Sequence, residues 1–458
     1  MFSRGYRAWL LTVLLLTNAL NLADRQGIAV VAQAIKLDLR LSDAQMGIIQ
    51  GLGFAIFYTL LGLPLARMAE RMSRARIVAA SLAIFGVMVA LCGTAQSFWR
   101  LLLFRIGVGV GDAGFGPPVA SLIGDHYPRD RRASAMSVIW LGAPLGVVLG
   151  STFAGWMAEH VSWRAAFVGI GAPAFIVAAV AFLTLRDPPR GLSDAIAVSP
   201  GPPPSMRTVL RFLLSKPSMR HTLVGAALAA TAMNAIGQFL GQFFVRAYHM
   251  GFTDAGRLLG LIAALAMSTG LALGGFGVDW ASRFDQRWFV WGPAIGLVLA
   301  APLFAVAFAA PVVGVGIAVL AVAHVVLFVY YTPTLAIAQN MVGANMRASS
   351  AFVVSLVLGL VGIGLGPTLI GALSDFFGSR AFAFGEFGAV CPGGAAPAQA
   401  DAALRAACSA ASALGIRHAL IAVSLLFAWA GVHYLLAARR LRQDLETHYV
   451  PAPAAERY

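Results

Sequence analysis

Three charged residues stand inside long apolar runs of this chain. Asp24 and Arg25 lie side by side in the first run, and Asp112 lies in the fourth. A charge at the centre of a bilayer costs roughly 2.5–3.5 kcal/mol on insertion scales, so such residues persist mainly where they face a cavity or a relay. Desolvation drives a buried carboxylate towards its neutral form, and a nearby guanidinium holds it charged. Two carboxylates beside Arg25 can therefore exchange a proton, and the guanidinium can hold an anionic group. The chemistry on offer is proton exchange linked to the binding of charge.

The elements that carry these residues are read as helices. At 100° per residue, Thr17, Asn18, Asn21, Asp24 and Arg25 fall in one sector of about 120°, and the rest of that helix is Leu, Val and Ala. Such a polar wedge turns towards a cavity, with the apolar arc towards lipid or neighbouring helices. In the fourth run Arg105, Gly109 and Asp112 share a face at i, i+4 and i+7. At 1.5 Å per residue Asp112 is roughly 21 Å from the outer end of its helix, and Asp24 roughly 22 Å from the inner end of its own. Both therefore lie near mid-membrane, with proton coupling expected of Asp24, Asp112 and Arg25. The alternative for this group is a buried ionic brace that locks helices together. The second half of the chain has no carboxylate deep in a span and offers uncharged polar positions. Thr231, Asn234, Gln238 and Gln242 share one face of the seventh run, and His324 and Tyr331 stand seven apart in the tenth. A cavity lined by Asn18, Asn21, Arg105, Asn234, Gln238, Tyr331 and His324 is the expectation. For His324 the simpler alternative is a hydrogen-bonded packing residue.

Composition sets the class. Of 458 residues 59% are hydrophobic and 11% charged, with mean hydropathy +0.80. A soluble chain of this length would be about 25% charged. Apolar runs of about 20 residues recur from Trp9 to Leu436, which predicts an all-α polytopic membrane protein. Twelve spans are expected, at 8–34, 43–66, 76–95, 98–124, 133–158, 164–185, 220–247, 253–278, 287–308, 311–339, 348–375 and 416–437. The first is too long for a signal-peptide core, and no small-x-small cleavage site closes it. The net charge of +14 sits in alternate loops: Arg67, Arg71, Arg74 and Arg76 after span two, Arg129, Arg131 and Arg132 after span four. Arg186, Arg190, Arg207, Arg211 and Lys216 follow span six, and Arg439, Arg440 and Arg442 follow the last. This bias places both termini in the cytoplasm and argues against nucleic acid as a partner.

Between spans six and seven, Asp187-Pro188-Pro189 and Gly201-Pro202-Pro203-Pro204 cannot continue a helix. The expected organisation is an N-terminal six-helix bundle over 1–186, a cytoplasmic linker over 187–219 and a C-terminal six-helix bundle over 220–458. The C-terminal bundle would include a long extracytoplasmic loop over 377–415. The halves echo each other. Gly142-Ala143-Pro144-Leu145-Gly146 in span five matches Gly362-Ile363-Gly364-Leu365-Gly366-Pro367 in span eleven, and Glu70-Arg71-x-x-Arg74 matches Asp279-x-x-x-Arg283. The offsets, 367 − 144 = 223 and 279 − 70 = 209, are similar, as an internal repeat requires.

Over nearly its whole length the chain resembles a major facilitator superfamily transporter. The loop Ala66-x-x-x-Glu70-Arg71-x-x-Arg74 is similar to the family's cytoplasmic gating motif, with Ala66 where glycine is usual and Glu70 for Asp. Arg105-x-x-x-Gly109-x-Gly111, Gly142-x-Pro144 and Trp163-Arg164-x-x-Phe167 resemble motifs of spans four, five and six. Asp24-Arg25 with Gly109-Val110-Gly111-Asp112-Ala113 resembles the Spinster branch, which more often has Glu at the place of Asp112. The resemblance implies twelve transmembrane helices in two pseudo-symmetric six-helix bundles. It implies a cytoplasmic gate of Glu70, Arg71 and Arg74, with Asp125 as a partner. It also implies a bacterial inner-membrane transporter, driven by a proton gradient without a cofactor, that moves a lysolipid or sphingosine-1-phosphate-like amphiphile. A proton symporter of small organic anions such as sugar acids is the second reading, since related facilitators also place an Asp-Arg pair in span one. The expected partners are the bilayer, protons and the substrate, with the protein a monomer. An enzyme finds little support: His126-x-x-x-Asp130 is one residue short of the usual acyltransferase spacing, and no other nucleophile–base set stands out. Cys92 reads as a packing residue. Cys391 and Cys408, 17 apart in an extracytoplasmic loop, permit a disulfide.

Overall fold

The computed structural model describes residues 3–189, 205–342 and 346–446, without some side chains inside helices, Glu70 and Asp130 among them. Every regular element among the described residues is helical. Eleven helices are long and apolar enough to cross a membrane: Asp43–Gly62, Arg74–Cys92, Phe98–His126, Ser134–His160, Trp163–Thr184, Pro217–Tyr248, Phe252–Ser282, Trp288–Ala309, Val313–Asn340, Ser349–Ala381 and Ala402–Ala438. The first helix, Arg4–Leu39, is 36 residues long and makes the twelfth. Asn18, Asn21, Asp24 and Arg25 near its middle dilute its hydropathy.

Local chemistry marks the boundaries. Ser3, Ser42, Ser73, Ser97 and Ser162 each accept a backbone N–H at a helix start, as N-caps do. Ser42 and Gln45 form a full capping box. The loop expected over 377–415 is shorter, because helix continues to Ala381 and resumes at Ala402. The Ala-rich stretch from Ala402 to Leu414 has the highest intrinsic helix propensity of that segment. Of the expected linker, residues 190–204 lie outside the described set. Its second part forms a helix, Met206–Ser215, and Lys216 then breaks direction with extended backbone before Pro217 opens span seven.

Small residues let the helices approach. A Cβ on Gly142, Gly146 or Gly150 of span five would overlap backbone atoms of Leu15, Ala19 or Ala23 of span one. Gly47 and Gly51 of span two meet Pro367 and Gly364 of span eleven, the latter with a would-be Cβ 2.6 Å from the carbonyl oxygen. Gly256 and Gly260 of span eight meet Ser151 and Val148 of span five. The two–eleven and five–eight pairings are equivalent under a six-span repeat, as two pseudo-symmetric six-helix bundles require.

By internal contact the chain forms two compact units. One takes Met1–Ala197, Asn234–Ala264 and Ile363–Ile421; the other takes Val198–Met233, Leu265–Gly362 and Ala422–Tyr458. The first unit contains the deep charges and the glycine contacts above. The second has a largely aromatic and aliphatic interior, with Phe304 stacked on Phe427 and the buried hydroxyls of Thr334 and Tyr434 bonded to each other.

Candidate substrate and proton site

Within the first unit the four deep charges of spans one and four are braced crosswise. Arg105 donates from Nη1 to both carboxylate oxygens of Asp24, at 3.0 and 2.7 Å, and Arg25 donates to Asp112. Neighbours in sequence do not pair, because adjacent helical residues point 100° apart. The two pairs differ in exposure. Asp24 and Arg105 are sealed, at 0% and 2% of side-chain surface, whereas 23% of Arg25 is open. Phe54 and Tyr58 of span two shield Arg25, with ring centroids 4.4 and 5.3 Å from its guanidinium carbon. An aromatic face stabilises a cation without neutralising it.

The open part of Arg25 faces a cavity of about 130 Å³ lined by Leu22, Gln26, Gln50, Phe54, Asn234 and Gln238, with Arg105 at its wall. Gln50 is buried, and neither atom of its amide has a hydrogen-bond partner among the described residues. The amide oxygen of Gln238 and Nε of Arg25 are also unsatisfied. Unpaired buried polar atoms are costly, about 1–3 kcal/mol each. Here they cluster on one small cavity, which makes the cavity suited to a ligand rich in donors and acceptors. Gln50 escaped the sequence reading; its one signal is an amide ending an otherwise apolar stretch immediately before Gly51.

The other expected cavity residues separate. Asn234 and Gln238 line this cavity. Asn18 instead donates to the carbonyl of Ile139, 3.0 Å away, as a helix-to-helix tie. Asn21 is buried and outside the cavity lining. His324 belongs to the second unit, where its Nδ1 contacts the carbonyl of Leu320 and its ring packs edge-on against Phe304, the arrangement of a packing histidine. Tyr331, half-buried beside Tyr330, also belongs to that unit.

At one end of the first unit Arg74 is buried and holds Asp125, Ser121 at 3.0 Å, Asp187 at 3.2 Å and the carbonyl of Pro188 at 2.9 Å. Asp187, at the head of the linker, was not foreseen as a partner. Arg71 is exposed, and the side chain of Glu70 lies outside the described set. The other end contains a second buried charge cluster that sequence reading missed. Asp43 at the start of span two accepts from Lys36 at 2.7 Å, from two nitrogens of Arg246 at 2.7 Å, and from Ser374 at 2.6 Å. Asp375 caps the same helix by accepting the backbone N–H of Asp43 and Ala44. Arg246 stands in the last turn of span seven. Besides Gln242, one turn back on the same helix, its partners Asp43 and Gln33 lie 203 and 213 positions away in sequence, which no local pattern reveals. Beside this cluster Cys391 and Cys408 form a disulfide.

The sequence matches the profile of the Major Facilitator Superfamily over residues 14–367. The chain belongs to that superfamily. It is similar to a solved bacterial homologue of the human lysosomal transporter Spinster, in an inward-facing and unoccupied conformation. That match has 31% identity, a TM-score of 0.88 and coverage of 98% of this chain and 100% of the other. It is 30% identical to an MFS-type efflux pump of Mycolicibacterium smegmatis over 81% of this chain and 85% of that protein. It is 27% identical to a hexuronate transporter of Bacillus subtilis, covering 84% and 92%. The Spinster-like character read from Asp24-Arg25 and Gly109–Ala113 agrees with these likenesses, and the chain is a Spinster-like polytopic membrane transporter.

Proposed function

We propose that the protein is a proton-coupled secondary transporter that moves a lysolipid or sphingosine-1-phosphate-like amphiphile by alternating access. The observation that carries this reading is the partly open Arg25, paired with Asp112 at a polar cavity. Protonation of Asp112 frees the guanidinium for an anionic headgroup; loss of the proton returns Arg25 to the carboxylate and expels the headgroup. The amides of Gln50, Asn234 and Gln238 hydrogen-bond the headgroup's polar atoms. Asp24 and Arg105, sealed behind them, fix the position of span one against span four.

In this reading the membrane is a bacterial inner membrane, and the positive-inside bias supports a cytoplasmic Arg74 end and an outer Asp43 end. Asp43, Lys36 and Arg246 then act as the outer lock, and Arg71, Arg74, Asp125 and Glu70 as parts of the inner gate. Small organic anions such as sugar acids are a second reading, favoured by the small polar cavity and by the likeness to a hexuronate transporter. Purified protein in liposomes, loaded by an imposed pH gradient, separates them. Uptake of a lysolipid but not of glucuronate supports the first reading, and the reverse pattern replaces it with the second. Uptake of either without dependence on the gradient removes proton coupling.

A further inference from the structure

The linker helix Met206–Ser215 carries four different surfaces on ten residues. At 100° per residue they follow one another around the axis. Val209 and Leu213 are fully buried, and the helix packs against the inner part of span eleven, Arg347–Leu356. Next comes a stripe of Met206, Leu210 and Leu214, roughly 80° wide, with 39%, 41% and 43% of each side chain exposed. Beside that stripe stand Arg207 and Arg211, both exposed, and beyond them Ser215 and Thr208. The apolar stripe is not covered by the described protein, and it is edged by cations on the side that leads to the polar face.

Its position limits what can cover it. Lys216, with φ −88° and ψ 116°, turns the chain out of this helix, and Pro217 starts span seven at the next residue. The helix therefore lies at the depth where a membrane span begins, in the interfacial zone. Lys216 stands 5.2 Å from the ring of Phe212, and exposed Arg220 follows one turn into the span. Helices with an apolar stripe edged by Lys and Arg lie in the plane of the interface, with apolar side chains below the headgroups and cations among the phosphates.

We infer that Met206–Ser215 is an interfacial helix that binds the anionic lipid surface, with Met206, Leu210 and Leu214 in the acyl boundary and Arg207, Arg211, Lys216 and Arg220 on lipid phosphates. Its buried face rests on span eleven, so the charge of the leaflet acts on an element of the transport fold. This holds whatever the substrate is.

The test uses the full chain with Cys92→Ala and Leu210→Cys, labelled with an environment-sensitive fluorophore and reconstituted into nanodiscs. One set contains phosphatidylcholine alone and the other phosphatidylcholine with phosphatidylglycerol, each with spin-labelled lipid as quencher. We expect strong quenching in anionic discs and several-fold weaker quenching in neutral ones. The Arg207→Gln, Arg211→Gln pair should bring quenching in anionic discs down to the level of neutral ones. A parallel label at Ser215→Cys reports folding, and should stay unquenched in every case. Equal quenching of the Leu210 label in both disc types, or no change on removing the arginines, overturns the role of lipid charge. Absence of quenching in all discs overturns the membrane assignment and leaves the stripe to a protein partner.

Discussion

Two carboxylates and two guanidinia fill the space between spans one and four, and their unequal burial divides their work. Removing one member of a sealed ion pair leaves an uncompensated charge, at a cost of about 3–5 kcal/mol. Arg105→Ala should therefore lower the melting temperature of the detergent-solubilised protein by many degrees, whereas Arg25→Ala, at the more open pair, should lower it by clearly less and weaken binding of an anionic ligand at least ten-fold. Comparable melting losses in the two variants would refute this division. Asp112→Asn should abolish pH-gradient-driven uptake while leaving expression intact; Asp24→Asn strands the sealed Arg105 and should lower the melting temperature about as much as Arg105→Ala does. Gln50→Leu removes an unsatisfied buried amide, so it should raise the melting temperature of the empty protein and lower ligand affinity. At this scale the sequence disclosed which charges lie buried within the spans, since charge in an apolar run is itself the signal. It did not disclose the crosswise pairing, which depends on the rotation of two helices about their axes. Gln50 and Asn18 show the same limit: both are amides on membrane helices, and packing alone decides which one meets the cavity.

Contacts between whole helices depend on glycine where backbones touch. Gly146 lies against the backbone of Ala19, so Gly146→Val should separate spans one and five and cause a severe loss of folded protein in size-exclusion profiles. Gly237 in span seven has open space around it, and Gly237→Ala should be tolerated. The cluster at Asp43 makes a second prediction. Asp43→Asn weakens the acceptor of Lys36 and Arg246 and should loosen the closed end. Spin labels at Leu37 and Asp254 would then show a longer or broader distance distribution than in the parent. An unchanged distribution would mean that the glycine contacts hold that end alone. Most span boundaries were legible from apolar run length to within a few residues, because the bilayer fixes how long a span must be, but the last helix begins at Ala402, 14 residues ahead of the apolar run expected from 416. The Asp43 cluster was not legible, because its members are ordinary end-of-span charges until folding brings Asp43 to Arg246.

For the whole molecule, the repeat of Gly/Pro clusters in spans five and eleven foretold the pseudo-symmetry, and the two–eleven and five–eight contacts are where it becomes visible. The four-charge brace has a further consequence at this scale. With two negative and two positive groups the empty site is neutral. One proton on Asp112 makes it singly positive, and a bound monoanion makes it neutral again. A site that changes access either empty or with proton and monoanion together carries no net charge through the field in either direction. Since each elementary charge moved across 100 mV is worth about 2.3 kcal/mol, such a cycle should be indifferent to membrane voltage. Uptake of a monoanion, measured with potassium and valinomycin setting the potential at fixed pH gradient, should be flat with voltage. A dianionic phosphate ester carried with one proton should instead be retarded on the side that its extra charge opposes.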